Sequence, residues 1–209
     1  MDWNAELFKS ARNGDLERVK ECLANGADVN ARGSYNETAL MEAIFCGNEE
    51  VAKFLVEKGA DVNAKDNDGF TALMEAVYRP RIDMCSLLIL NGADINAMDN
   101  YDNTVLMYAT GKIYANINAG RIRYREKTSM TNILIVSALL EQNADINAKN
   151  SGNWTALHYA VSRGYIPMID ILIRYGADVN ARSYEGETPL ALAETNEIRE
   201  LLQKAGAIA

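Results

Sequence analysis

Gly59-Ala-Asp-Val-Asn-Ala64, followed after six further residues by Thr71-Ala-Leu73, is the stretch that decides the fold, because both of its parts recur in register. Copies of the first part begin at Gly26, Gly59, Gly92, Asn143 and Gly176, and copies of the second begin at Thr38, Thr71, Thr104, Thr155 and Thr188. Successive starts of either part lie 33, 33, 51 and 33 residues apart, which indicates an internal repeat of 33 residues. Because 51 exceeds 33 by 18, one repeat carries an 18-residue insertion between Thr104 and Asn143.

Each repeat predicts two helices joined by a turn. In the repeat that contains Thr71, this threonine caps a short helix whose inward residues Leu73 and Ala76 lie three apart. A turn follows near Pro80, and residues 82–90 form a longer helix. The other copies show the same alternation, so the sequence predicts stacked helix pairs.

Backbone geometry explains the glycine that begins the first part of the pattern. The second helix of each repeat stops there in a left-handed conformation, which glycine adopts freely and asparagine tolerates, and the fourth copy has Asn143. The same preference governs the residue two places before each threonine. These residues are Asn36, Gly69, Asp102, Asn153 and Gly186. Positive φ is therefore predicted at both positions of every repeat.

The second part of the pattern resembles the signature T-P-L-H-x-A of the ankyrin repeat. Thr155-Ala-Leu-His-Tyr-Ala160 and Thr188-Pro-Leu-Ala-Leu-Ala193 come nearest to it, while Ala39, Ala72 and Val105 replace its proline. The resemblance covers nearly the whole chain. It implies an all-α repeat solenoid of helix-turn-helix units joined by β-turn or hairpin loops, and it implies that partners bind on a concave face of turn tips and first helices.

The repeat register predicts one elongated domain over residues 1–209 with six helix pairs. Its parts are an N-terminal cap repeat at 1–33, inner repeats at 34–66, 67–99, 100–150 and 151–183, and a C-terminal cap repeat at 184–209. The repeat at 100–150 contains the insertion, which we place at 111–128.

Composition and charge argue against several classes of function. The 209-residue chain carries 21 basic and 29 acidic residues, a formal charge of −8. Because phosphate binding requires a basic face, neither nucleic acid nor an anionic membrane is expected as the main partner. No apolar run is long enough to cross a bilayer and the N-terminal residues lack the order of a secretory signal, so we expect a cytoplasmic protein, with secretion as an effector by a non-classical route left open.

Enzyme chemistry is not expected. The chain has a single histidine, His158, which removes most pairings of nucleophile and base and every multi-histidine metal site. Phosphate-loop, dinucleotide and zinc-protease patterns are missing, so we expect no catalytic residue, no cofactor and no metal. The resemblance implies a structural role for His158, whose side chain bonds neighbouring turns.

Aromatic residues recur at the positions that the resemblance assigns to the concave face, although no turn requires them. The residues that we expect to contact a partner are Tyr35, Phe45, Phe70, Tyr78, Arg79, Tyr101, Trp154, Arg163 and Tyr184. Exposed tyrosine and tryptophan offer large contact areas at small entropic cost, and truncating one at an interface costs about 2 kcal/mol or more. The alternative is that several of these rings only cover the neighbouring hairpin.

The same position of the turn between successive repeats is basic in four repeats, and we call these four residues the basic turn row. It holds Arg32, Lys65, Lys149 and Arg182. Basic groups beside aromatic rings favour a partner segment with both apolar and acidic groups, although charges at an interface rim are usually only solvated.

The insertion is the one basic part of the chain. Its functional candidates are Lys112, Arg121, Arg123, Tyr124, Arg125 and Lys127. Five cations against one carboxylate give it a local charge of +4, which leaves −12 for the remainder. Alternating polar and apolar residues favour a small β-hairpin, with a mobile loop and extended helices as alternatives. Such a segment would grip an acidic partner, fold over the acidic body of its own molecule, or be a tolerated surface loop.

The leading functional prediction is a monomeric, non-catalytic module that binds another protein and serves as a scaffold, adaptor or inhibitor. Self-association through the exposed aromatic rings is one alternative. Binding of nucleic acid or of an acidic partner through the insertion is another, because its cations and Tyr124 suit phosphate contact and base stacking.

Overall fold

The computed structural model describes residues 1–110 and 130–208. These residues fall into two compact units, the first unit Met1–Asp94 and the second unit formed by residues 95–110 and 130–208. The prediction of one domain over residues 1–209 therefore stays a prediction. The insertion, with the hairpin predicted for 111–128, lies outside the described residues.

The first unit consists of three helix pairs. They are α1 (Trp3–Asn13) with α2 (Leu16–Ala24), α3 (Ala39–Cys46) with α4 (Glu49–Glu57), and α5 (Ala72–Tyr78) with α6 (Ile82–Leu90). The first helices of successive pairs contact each other, as α1 does α3 and α3 does α5, and the second helices contact each other in the same order. This is the stacking that the 33-residue register predicts, because each pair buries its apolar faces against the next one.

The second unit continues the pattern with α7 (Val105–Thr110), α8 (Met130–Glu141), α9 (Ala156–Ser162), α10 (Ile166–Arg174) and α11 (Asn196–Lys204). Here α7 packs on α8 and α9, and α10 packs on α8 and α9. The sixth helix pair predicted from the sequence is wrong in one respect. Residues 189–193 form hydrogen-bonded turns instead of a helix, because Thr195 already caps α11 only seven residues after Thr188.

The described residues bear out an all-α repeat solenoid. Their only β-structure is two isolated bridges, between Lys65 and Thr71 and between Met98 and Thr104. Among the helices in the described ranges, none combines the length and the hydropathy that crossing a bilayer requires.

The backbone conformations predicted from the repeat are confirmed. Asn143 has φ of 62° and the glycines at the same position have φ between 84° and 91°. The five residues two places before each threonine also have positive φ, between 56° and 83°. Thr71 caps α5 by accepting the backbone N–H of Met74 on its hydroxyl oxygen. The recurring letters of the sequence thus encode helix starts, helix ends and turns.

Asparagine side chains join successive repeats within each unit. The Asn30 side-chain oxygen accepts the backbone N–H of Asp61 at 2.8 Å. In the second unit, Asn147 accepts the N–H of Asp178 at 2.8 Å and donates to the carbonyl oxygen of Gly176 at 3.3 Å. The asparagine of each Asp-Val-Asn or Asp-Ile-Asn motif therefore holds the following repeat in register.

Candidate interaction surface at the turn tips

The backbone of each turn tip is held by the tip itself. In the first unit the Asp66 carboxylate accepts the backbone N–H of Phe70 at 2.8 Å. In the second unit the Asn150 side-chain oxygen accepts the N–H of Trp154 at 2.9 Å. These local bonds satisfy the turn without any aromatic side chain.

Three of the predicted contact residues are exposed tyrosines at the tips. The exposed fractions of Tyr35, Tyr101 and Tyr184 are 41%, 43% and 83%. Hydrogen bonds hold the main chain that carries them. For example, the carbonyl oxygen of Tyr101 accepts the backbone N–H of Ser151 at 3.0 Å. Large aromatic surface therefore stands on a rigid backbone, which is an arrangement typical of binding surfaces.

The surface position expected for Phe70 and Tyr78 is wrong. Their exposed fractions are 2% and 4%. Phe70 directly precedes the capping threonine and turns inward beneath its tip, and Tyr78 ends α5, all of whose residues are buried. Both rings therefore belong to the core of the first unit and are not available to a partner.

Phe45 and Arg79 contact each other in the first unit. The Arg79 guanidinium carbon lies 3.9 Å from the centroid of the half-buried Phe45 ring. Its Nε donates to the buried Glu75 carboxylate at 2.5 Å. An aromatic face and a carboxylate thus hold one guanidinium between them, which is a favourable cation–π geometry reinforced by an ion pair.

Trp154 is half-buried and packed against its own repeat. The centroid of its ring lies 5.6 Å from that of His158 and 5.0 Å from that of Tyr159. Burial raises the pKa of Tyr159 to about 12, and its hydroxyl accepts a hydrogen bond from the Asn150 side chain at 2.8 Å. Arg163 is half-buried and makes no ion pair with any residue in the described ranges.

His158 has the structural role that the resemblance implies. Its Nδ1 accepts the backbone N–H of Thr155 at 3.1 Å, and its Nε2 donates to the carbonyl oxygen of Glu187 in the next repeat at 3.2 Å. The ring is fully buried, and this burial lowers the pKa of His158. The neutral imidazole therefore ties one turn to the following turn.

The basic turn row is partly structural. The Arg32 guanidinium donates to the carbonyl oxygens of Asn36 and Lys65, and Arg182 donates to that of Gly186. These bonds remove part of the support for an acidic partner. The cations of the insertion, Lys112, Arg121, Arg123, Arg125 and Lys127, and also Tyr124, lie outside the described residues, and their role stays a prediction.

Sequence reasoning missed two grooves. One, of about 710 Å³, lies in the first unit between α1 and the turn at 32–37, with Phe8, Lys9 and Arg12 on the α1 side. The buried Glu42 carboxylate lines it and accepts a hydrogen bond of 2.9 Å from Arg12. The other groove, of about 460 Å³, lies in the second unit between two successive tips. A groove between tips depends on how neighbouring repeats dock, which the sequence does not specify. The only sequence signal for these grooves was the repeat register, which indicates which positions are exposed.

A buried polar network in the second unit was also missed. The Tyr108 hydroxyl donates a hydrogen bond to the Asp99 carboxylate, which also accepts the side-chain N–H of Asn103 at 3.0 Å. All three residues are buried. Over the ranges 1–110 and 130–208, no three His, Cys, Asp or Glu residues are grouped so that they could hold a metal ion.

The sequence matches two family descriptions. The description "Ankyrin repeats (3 copies)" matches residues 5–66 and 128–208, and "Ankyrin repeats (many copies)" matches residues 47–89 and 75–114. A stretch of 81 residues is 35% identical to the human ankyrin repeat domain-containing protein 40. That match covers 38% of this chain and 22% of the human protein, so the chain spans about a fifth of that relative's length.

Two solved structures are similar along almost their whole length. An ankyrin repeat domain from Acinetobacter baumannii AYE superposes with a TM-score of 0.80 at 30% identity, covering 97% of this chain and 98% of that one. A chain in the complex of a predatory endopeptidase from Bdellovibrio bacteriovorus with an immunity protein gives a TM-score of 0.77 at 29% identity, covering 95% and 97% of the two chains.

Proposed function

The chain belongs to the ankyrin repeat family, whose members generally mediate protein–protein interaction, and on that premise we propose that it is a non-catalytic module that binds a partner protein through its turn tips. Such a module serves as a scaffold, an adaptor or an inhibitor of its partner. One of the similar solved chains comes from a complex of two proteins, which supports a role of this kind.

The observation that carries the proposal is the exposure of Tyr35, Tyr101 and Tyr184 on tips that are held by their own hydrogen bonds. The Glu37 and Asp99 carboxylates accept the backbone N–H groups of Tyr35 and Tyr101, and the Ser183 hydroxyl oxygen accepts that of Glu187. Exposing an aromatic ring to water has a cost that nothing in the turn offsets. A partner that covers the ring recovers that cost, and the rigid tip loses little entropy on binding.

Cross-linking capture from an extract of the native cell tests the proposal with three forms of the protein. The wild type is compared with Tyr101→Ala/Tyr184→Ala and with the control Tyr175→Ala. Tyr175 is also exposed but directly follows α10, and it lines neither the groove of the first unit nor that of the second. We expect one protein to be captured equally by the wild type and the control and at least tenfold less by the double variant, as for the loss of two hot-spot rings. Equal capture by all three forms would remove the tips from consideration.

Trp154 is a poor choice for this experiment. Its ring packs against His158 and Tyr159, so replacing it by alanine also opens a void in the repeat. Loss of binding in a Trp154→Ala variant would mix a contact effect with a stability effect. Tyr101 and Tyr184 avoid this problem because their rings are more exposed.

Sedimentation of the same three forms separates partner binding from self-association. A monomer is expected for all of them at micromolar concentration. A dimer that dissociates only in the Tyr101→Ala/Tyr184→Ala variant would instead assign the tips to contacts between copies of the chain.

A further inference from the structure

We propose that the groove between the last two tips of the second unit binds an arginine side chain of the partner. This inference rests on the proposed function, because it names the chemistry that one part of the binding surface recognises. The groove holds about 460 Å³, and Trp154 and Tyr184 line it together with Glu185 and Glu187. Its lining contains two aromatic rings and two carboxylates, and none of the lining residues that the structure describes is basic.

The negative charge of the groove favours binding of a cation. Glu185 is exposed and Glu187 is half-exposed, and within the described part of the chain neither carboxylate forms an ion pair. The nearby Arg182 already donates to the carbonyl oxygen of Gly186. Two carboxylates beside two aromatic rings attract a positive group and repel an acidic one, so this groove favours a basic partner residue.

The groove is preorganised by main-chain hydrogen bonds. The N–H of Tyr184 donates to the carbonyl oxygen of Gly152 at 2.8 Å, which docks one tip on the other. The turn that carries both glutamates is closed by Ser183, whose hydroxyl oxygen accepts the N–H of Glu187 at 3.1 Å. The Trp154 ring is held by its contacts with its own repeat. Little ordering is therefore required when a side chain enters.

The first unit shows that this chain can build the required arrangement. There the Arg79 guanidinium lies on the Phe45 ring and pairs with the Glu75 carboxylate. The groove of the second unit offers the same two elements, an aromatic ring and a carboxylate, and within residues 1–110 and 130–208 no arginine lines it.

Arginine fits better than lysine for a geometric reason. A planar guanidinium stacks on an indole or phenol ring while its N–H groups remain directed at carboxylates, and it is less strongly hydrated than an ammonium group. Lysine satisfies the charge but not the stacking. The proposal therefore predicts an order of affinity of arginine, then lysine, then any neutral analogue.

Short blocked peptides test this without the natural partner. The probes are acetyl-Gly-Ser-X-Ser-Gly-amide with arginine, lysine, citrulline or norleucine at X, titrated at low salt into the wild-type chain. The readout is the NMR signal of the Trp154 indole N–H, which a Trp3→Phe variant distinguishes from the only other tryptophan. We expect the arginine peptide to shift this signal with an affinity about tenfold above that of the citrulline peptide. A guanidinium that contacts an aromatic ring and also pairs with a carboxylate provides roughly that factor.

A charge-removing variant supplies the second arm. Glu185→Gln/Glu187→Gln keeps the shape of the groove and is expected to lower the affinity for the arginine peptide several-fold, while Tyr175→Ala leaves it unchanged. Equal shifts with arginine and citrulline, or a response that survives the double glutamine variant undiminished, would overturn the assignment. That result would leave partner binding through the tips intact, because the capture experiment with Tyr101 and Tyr184 tests it separately.

Discussion

The side-chain amide of Asn63 donates a hydrogen bond of 2.9 Å to the carbonyl oxygen of Gly92, 29 residues further along the chain. The same side chain accepts the backbone N–H of Asp94 at 2.7 Å. One asparagine therefore satisfies a donor and an acceptor of the loop that ends the following repeat. Equivalent bonds from Asn30 and Asn147 repeat this link within their own units.

Replacing Asn63 should loosen the stack without touching its core. We expect Asn63→Ala to lower the free energy of unfolding by about 1 kcal/mol, because two solvent-exposed backbone groups exchange a side-chain partner for water. Asn63→Asp keeps the acceptor for Asp94 but loses the donor to Gly92, so its cost should be intermediate. Urea unfolding followed by circular dichroism measures both. The exposed Glu57, replaced by glutamine, is the control, and equal stability of all three variants would show that the link has no energetic weight.

Asn143 tests whether backbone geometry alone selects the residue that ends the second helix. Its φ is 62°, which an ordinary residue such as alanine adopts at a cost of about 1 kcal/mol because its Cβ clashes with the backbone. We expect Asn143→Gly to be neutral within about 0.5 kcal/mol and Asn143→Ala to be less stable than the wild type by about 1 kcal/mol. Thermal midpoints of the two variants provide the comparison, and a glycine variant as unstable as the alanine variant would point to a side-chain role.

The bond between Tyr108 and Asp99 predicts a large effect from the loss of one oxygen. Tyr108→Phe leaves the buried Asp99 carboxylate with fewer donors, so we expect a loss of about 1–3 kcal/mol in the free energy of unfolding. The exposed Tyr175 replaced by phenylalanine should change stability by less than about 0.5 kcal/mol. Indistinguishable unfolding curves for the two variants would contradict the network.

His158 predicts a pH dependence of stability near neutrality. Because burial lowers its pKa below the ordinary value of 6.5, the unfolded chain binds the proton before the folded chain does. The stabilising contribution is fully present above pH 6.5 and is lost as the pH falls below it, at no more than about 1.4 kcal/mol per pH unit.

His158→Gln isolates this effect, because glutamine at that position of the helix still accepts the Thr155 N–H but does not titrate. We expect urea midpoints of the wild type to fall between pH 7.5 and 5.5 by more than those of the variant. Since the chain has no other histidine, parallel pH profiles would show that His158 does not couple protonation to folding.

Thiol reactivity should separate the three cysteines. Cys46 is exposed, whereas Cys22 and Cys85 are buried and burial raises the pKa of Cys85 to about 12. At pH 8 a thiol of that pKa is ionised to only about one part in ten thousand, so it hardly reacts. A disulfide reagent should therefore modify one thiol per folded chain rapidly, and none in Cys46→Ser. Rapid modification of a second thiol would mean that the α2 or α6 region opens readily.

Phe70 and Trp154 show where prediction from the sequence ended. Both directly precede a capping threonine, so the repeat register treats them alike and assigned both to the binding face. In the structure Phe70 is buried while Trp154 is half-exposed and lines a groove. Tyr35 and Tyr101, three places before their threonines, both have the exposure that the register predicts. The repeat register thus predicted exposure correctly three places before the threonine but not for the residue directly before it.

The sequence by itself determined the repeat length, the capping threonines and the positions of positive φ, because each depends on a residue and its immediate chain neighbours. The resemblance to the ankyrin signature implied the structural role of His158. The tertiary structure alone decided which aromatic rings are exposed, how Asn63 bridges to Gly92, and that Trp154 and Tyr184 share a groove with the carboxylates of Glu185 and Glu187. Those properties depend on side chains from the next repeat, and a 33-residue period specifies which residues become neighbours but not how closely their side chains pack.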